Sequence, residues 1–185
     1  MHVRHTLTAF GFIFAAVVSI PASAQIESTP IPTSPKPDFS SMSFFVGTWA
    51  CSTKSSRRPA AYVTTETYAM DSSGYWIEAT SVISPTSWNP TKLTINDKIT
   101  YDSDTKRWVD VLYGDQGAFG LTFSKGWNGN KLVWHDASFA PGASISSQSD
   151  VVMTKVSPTK TVSNFSFTES KTGRKISIVE TCTKS

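Results

Sequence analysis

The stretch Tyr62-Val63-Thr64-Thr65-Glu66-Thr67-Tyr68-Ala69-Met70, followed by Asp71-Ser72-Ser73-Gly74 and then Tyr75-Trp76-Ile77-Glu78-Ala79-Thr80, decides the fold. Over residues 61–70, Tyr62, Thr64, Glu66, Tyr68 and Met70 alternate with Val63, Thr65, Thr67 and Ala69. That period of two belongs to a strand with two unlike faces, and the β-branched and aromatic content suits a pleated surface. Asp-Ser-Ser-Gly is turn chemistry. Residues 75–84 therefore return as the second arm of a hairpin.

The same pattern extends outward in both directions. Strands are expected at 46–54, 93–101, 107–113, 118–125, 131–137, 145–155, 161–170 and 175–183, and no window shows helical periodicity beyond a turn or two. Residues 85–92 hold two prolines and Trp88 and read as a loop. In 93–101 the apolar face Leu93, Ile95, Ile99, Tyr101 is interrupted by Asp97, and in 118–125 Phe119, Leu121 and Phe123 oppose Ala118, Gly120, Thr122 and Ser124. A short helical turn is expected over 39–45, capped by Asp38, with Met42, Phe44 and Phe45 placed to plug one end. About eight to ten strands joined mainly by short turns predict an all-β, closed, antiparallel up-and-down β-barrel with that N-terminal helical turn. A two-sheet sandwich is the alternative and needs long connections that change sheets.

At the N-terminus, Arg4 precedes an apolar run over 7–20 that Pro21 and Ala22-Ser23-Ala24 end. This is the grammar of a signal peptide, 1–24, cleaved after Ala24, and it predicts a periplasmic or secreted protein. The run is shorter than the roughly 20 residues a spanning helix needs and no second one follows, so no membrane span is expected. Gln25 at the predicted cleavage site argues against a lipid-modified cysteine. Residues 25–37 carry Pro30, Pro32, Pro35 and Pro37 among Ser and Thr, a composition that reads as a disordered spacer. The remainder, 38–185, fits one domain. The formal net charge of +3 comes with no run of basic residues, which argues against a nucleic-acid partner.

The chain has two cysteines, Cys51 in the first expected strand and Cys182 in the last. In an oxidising compartment a disulfide is the first expectation, with two buried free thiols as the alternative. Terminal strands are neighbours in a closed barrel, so the pair favours closure.

Val46-Gly47-Thr48-Trp49, entering the first strand behind a helical turn, resembles the Gly-x-Trp opening of calycins, the group of lipocalins, fatty-acid-binding proteins and nitrobindin-like barrels. Residues 39–184 also resemble an exported bacterial lipocalin-like class, sharing the Gly-Thr-Trp start, a Tyr-Asp-x-x-Thr hairpin at Tyr101 to Thr105 and a Gly-Trp-x-Gly turn at Gly126 to Gly129. The resemblance implies a barrel with a cavity and with Trp49 across its closed end. Ala50-Cys51-Ser52 follows Trp49 where a nitrobindin-like opening has a second glycine, so no haem chemistry is carried over.

No catalytic or metal motif is present. With His2 and His5 in the signal, His135 is alone; if Leu132 and Trp134 point inward, it points to solvent. A mixed metal site of His135 with Asp110, Asp136 and Glu180 has no supporting ligand spacing. Carboxylates on apolar faces are the more informative signal: Glu180 aligns with Ile176, Ile178 and Cys182, Asp97 with Ile95 and Ile99, and Glu66 with Tyr62 and Tyr68. A carboxylate inside a barrel costs several kcal/mol unless partnered. Trp49, Glu66, Tyr68, Tyr101, Trp108, Phe123 and Glu180 are the expected wall of a site for a small, partly apolar molecule, with no cofactor. Two alternatives stand beside binding: an isomerase or lyase using an interior carboxylate as base, and an interaction module with a filled core. Composition does not fix the oligomeric state.

Overall fold

In a computed structural model the described backbone covers residues 34–58, 60–139 and 145–185. The expected signal peptide and most of the spacer lie outside the described residues, as do the side chains of 136–147. Residues 35–185 form one unit.

The chain enters through a turn at Phe39, where Asp38 accepts a hydrogen bond from the Ser40 amide at 2.9 Å, and a 3-10 helix at Ser43–Phe45 whose N-cap is Met42; the expected helical turn is thus shorter, and Asp38 does not cap it. The strands that follow are β1 (Gly47–Ser55), β2 (Tyr62–Met70), β3 (Ile77–Ile83), β4 (Leu93–Asp102), β5 (Arg107–Gly114), β6 (Phe119–Ser124), β7 (Trp127–Asn128), β8 (Lys131–Phe139), β9 (Ile145–Gln148), β10 (Val151–Ser157), β11 (Lys160–Glu169) and β12 (Lys175–Lys184). Every pairing among them is antiparallel. Neighbours in sequence are neighbours in the sheet from β1 to β6, then β8 follows, β10 pairs with β8, and β10, β11, β12 lead back to β1. The ring is a closed ten-strand barrel. Short β7 prolongs the line of β6 along β8, and β9 prolongs that of β10 along β11. The expected single strand over 145–155 is thus broken at Ser149-Asp150.

Closure settles the choice between barrel and sandwich, and the cysteines sit at the seam. Cys51 and Cys182 are directly opposite in the β1–β12 register and form a disulfide.

One end of the barrel is sealed. Met42 and Phe45 are buried with Phe39, Ile77, Ile99, Trp108, Leu132 and Trp134 in one cluster, and half-buried Phe44, Tyr68, Tyr101 and Trp127 pack against it. The plug is therefore aromatic on both sides: Phe45 stacks on Trp127 at 5.9 Å, and Phe39 meets Trp108 at 5.4 Å. Trp49 is 2% exposed and its indole Nε1 donates to the Phe45 carbonyl at 2.7 Å, tying the first strand to the plug. Gly47 is needed for this entry because its φ is +125°, a conformation that side chains resist. Among the described residues no helix is long and apolar enough to cross a membrane.

Candidate functional site

Above the plug, alternation brings Glu66 and Tyr68 of β2, Asp97 of β4, Asp110 of β5 and Glu180 of β12 onto the inner wall. The intervening strand makes them neighbours. On β3, Ala79 stands between Tyr68 and Asp97 and Ser81 lies opposite Glu66, so short side chains leave the acids in electrostatic contact.

Each carboxylate is enclosed yet half-buried, which means that it still meets space wide enough for water. Partners are few. Tyr68 donates its hydroxyl to Glu66 at 3.0 Å, and Thr53 donates to Glu180 at 2.7 Å. Among the described residues no lysine, arginine or histidine makes an ion pair with any of these four acids. The consequence is a set of displaced acidities. Loss of water, then repulsion from Glu180 and Asp97, pushes Glu66 up to about 8 against the easing effect of the Tyr68 hydroxyl. Burial pushes Asp110 up to about 7, with Thr122 pulling the other way. Asp97 is raised well above the ordinary range by burial and by Asp110, and Glu180 is raised by burial. The Tyr68 hydroxyl, buried beside Glu66 and Asp97, stays protonated far above neutrality.

Glu66 and Glu180 also lie beside the disulfide: one ligand-type atom from each, with the two sulfurs, fall within 4.8 Å of one another. Because the sulfurs are bonded to each other, no thiolates remain to complete a cation site there. A small void of about 10 Å³, lined by Phe45, Trp49, Glu66, Tyr68, Met153, Thr161 and Cys182, marks the bottom of this region.

The expected wall residues divide cleanly. Glu66, Tyr68 and Glu180 lie together, and Trp49 lies below them. Tyr101 and Trp108 form an edge contact at 5.2 Å within the plug cluster. Phe123 is a correction, since it faces outward beneath the Arg107 guanidinium at 3.8 Å while Thr122 and Ser124 fill the inner face. The cause lies on β5. Ser124 is opposite bulky Trp108, and at Gly120 an added Cβ would meet Leu112 at 3.1 Å, so the inner face of β6 must be small. His135 faces outward, exposed, and pairs with Asp150 at 2.8 Å, away from the interior acids. Asp110 is the acid that the expected wall lacked; its alternation with Trp108 and Leu112 is the signal that places it inside.

At the opposite end from the plug, the loop after β1 and the loop between β3 and β4 meet at a cleft of about 290 Å³ lined by Ala61, Tyr62, Pro85 and Trp88 among others. Trp88 is 38% exposed, meets Tyr62 edge-on at 5.7 Å and lies 4.6 Å beneath the Arg58 guanidinium.

Fold and site together define a closed antiparallel barrel with an aromatic plug and a carboxylate-bearing interior. No family model matches the chain, and no curated protein does. Among solved structures the fold is similar to that in "Crystal Structure of Rv2717c from M. tuberculosis", with a TM-score of 0.59 over 80% of this chain and 96% of that one at 10% identity. At that identity the likeness concerns the fold alone.

Proposed function

We propose that this calycin-like barrel is an exported binder of a small, partly apolar molecule, held on its inner wall beside the carboxylates. The observation that carries this is the half-buried set Glu66, Asp97, Asp110 and Glu180, with no ion-pair partner among the described residues and with Asp110 Oδ1 lacking a hydrogen bond. A filled structural core excludes such groups or pairs them, since each unpaired buried charge costs several kcal/mol. Retaining them beside aromatic walls is the chemistry of a pocket. The disulfide suits an oxidising compartment and supports the periplasmic or secreted reading. Native mass spectrometry of protein purified from its own host is expected to show a bound adduct, and a lipophilic fluorescent dye to be displaced by extracts of that host. A bare mass together with a silent dye screen counts against binding.

One observation favours a second reading, catalysis by an interior acid of the isomerase or lyase type. Glu66 and Asp110 have their pKa values moved toward neutrality, where general acids and bases are most effective. Once a substrate is found, Glu66→Gln, Asp97→Asn, Asp110→Asn and Glu180→Gln examined singly decide it. Full turnover in all four rejects this mechanism.

A further inference from the structure

We propose, resting on the binding reading above, that the ligand is a cation, an organic ammonium with an apolar tail, whose charged nitrogen sits between Asp97, Asp110 and Thr122. The acids alone do not carry this. The second observation is Thr122, 6% exposed, whose hydroxyl forms no hydrogen bond, directly opposite Asp110 in the β5–β6 register. Asp110 Oδ1 is likewise sealed from solvent and without a hydrogen bond. Thr122 lies near enough to ease the charged form of Asp110, yet no well-formed bond joins them. Two buried polar atoms on directly opposite residues are thus left without a partner, and buried polar atoms in native proteins are otherwise almost always satisfied.

A ligand group that satisfies both must bring donors. Asp110 and Asp97 accept when ionised, and the threonine oxygen has lone pairs to offer. An ammonium brings donors and a positive charge together, which relieves the mutual repulsion that a neutral hydroxyl leaves in place. A carboxylate or phosphate adds to that repulsion. The tail would meet Ile99, which pairs with Asp110 across β4–β5, and Trp108, which precedes it on the same face, at the buried edge of the plug cluster.

Protons must follow. Glu66 is faced by Glu180, Tyr68 and Asp97, Asp97 by Asp110, and Asp110 by Asp97 and Thr122; Asp136 stands opposite Thr122 in the β6–β8 register. A cation entering this group favours the ionised acids, so binding releases protons and tightens as pH rises from 5.5 to 8.

The test uses the mature, disulfide-intact chain with octylammonium, octanol and octanoate as probes, followed by calorimetry at pH 8 and low salt. Octylammonium is expected to bind at least tenfold tighter than octanol, with octanoate weakest, and its enthalpy is expected to vary with buffer ionisation heat as protons leave. Asp110→Asn is expected to lower ammonium affinity about tenfold and octanol affinity by clearly less. Thr122→Val, which keeps the shape and charge, serves if the first variant fails to fold and is expected to weaken ammonium alone. Equal binding of octanol and octylammonium, tighter octanoate, or an ammonium preference untouched by both variants overturns the cation and leaves the binding reading standing. If none of the three probes binds and host-purified protein also carries no adduct, the binding reading itself fails and the cation with it.

Discussion

Glu66 shows what a single side chain costs this barrel. Its pKa is about 8 in the folded chain against an ordinary 4.5, so between those values the folded state holds a proton that the unfolded state has released. Its contribution to stability is complete below about pH 4.5 and is lost as pH rises through 8. Asp97, Asp110 and Glu180 are shifted the same way, so their losses accumulate toward alkaline pH. Urea titrations are therefore expected to show stability falling between pH 5.5 and 8.5. Glu66→Gln, which keeps a hydrogen-bond acceptor for Tyr68, is expected to flatten that slope and gain roughly 1–3 kcal/mol over the parent at pH 8.5, a range discounted because the group is half-buried. Parallel slopes for the two proteins contradict this. Glu66 and Glu180 were legible from alternation with apolar neighbours. Their proximity was not, because it depends on the stagger between strands and on the short side chains of Ala79 and Ser81 lying between the acids.

Between Ser43 and Trp49, one short helix and one strand depend on each other. Phe45 is 4% exposed and contacts Phe44, Tyr68 and Trp127, while its carbonyl accepts the Trp49 indole proton. Phe45→Ala is expected to cost about 3–5 kcal/mol, the range for emptying a large aromatic site in a core. Gly47→Ala is expected to cost about 1–2 kcal/mol through its positive φ, even though its nearest neighbour, the end of the Lys184 side chain, can move aside. Thermal melts of both variants check the order, and a Gly47→Ala loss larger than that of Phe45→Ala contradicts it. Alternation reveals nearly all the strands, yet a facing chosen by side-chain size puts Phe123 inside, whereas the small residues of β6 are the buried ones. Hydrophobic contrast gives the period of a strand; the volume available opposite gives its facing. In β6 the bulk of Trp108 and Leu112 across the ladder decides that facing, and no window confined to one strand contains it. The outward phenylalanine is in turn covered by Arg107 from the neighbouring strand.

For the whole molecule the decisive contact is the β1–β12 seam, where residues 131 apart in sequence are joined by sulfur. Here the sequence was most informative, because two cysteines at opposite ends of a hairpin-connected chain meet readily only if the sheet closes. The seam also has its own ladder, from Trp49 opposite Lys184 to Ser55 opposite Ile178, so the covalent bond and the backbone pairing are separable contributions. Cross-linking so long a loop acts mainly on the unfolded chain, which loses conformational freedom. The double variant Cys51→Ala, Cys182→Ala is therefore expected to fold to the same barrel with stability lower by about 2–5 kcal/mol. Its urea m-value is expected to rise, because an unfolded chain freed of the loop exposes more surface. A native-like far-ultraviolet spectrum with a lower midpoint and a steeper transition is the supporting result. If the variant instead lost its strand signal without denaturant, the ladder alone would be too weak to hold the seam, and the sulfur bond would be a condition of closure.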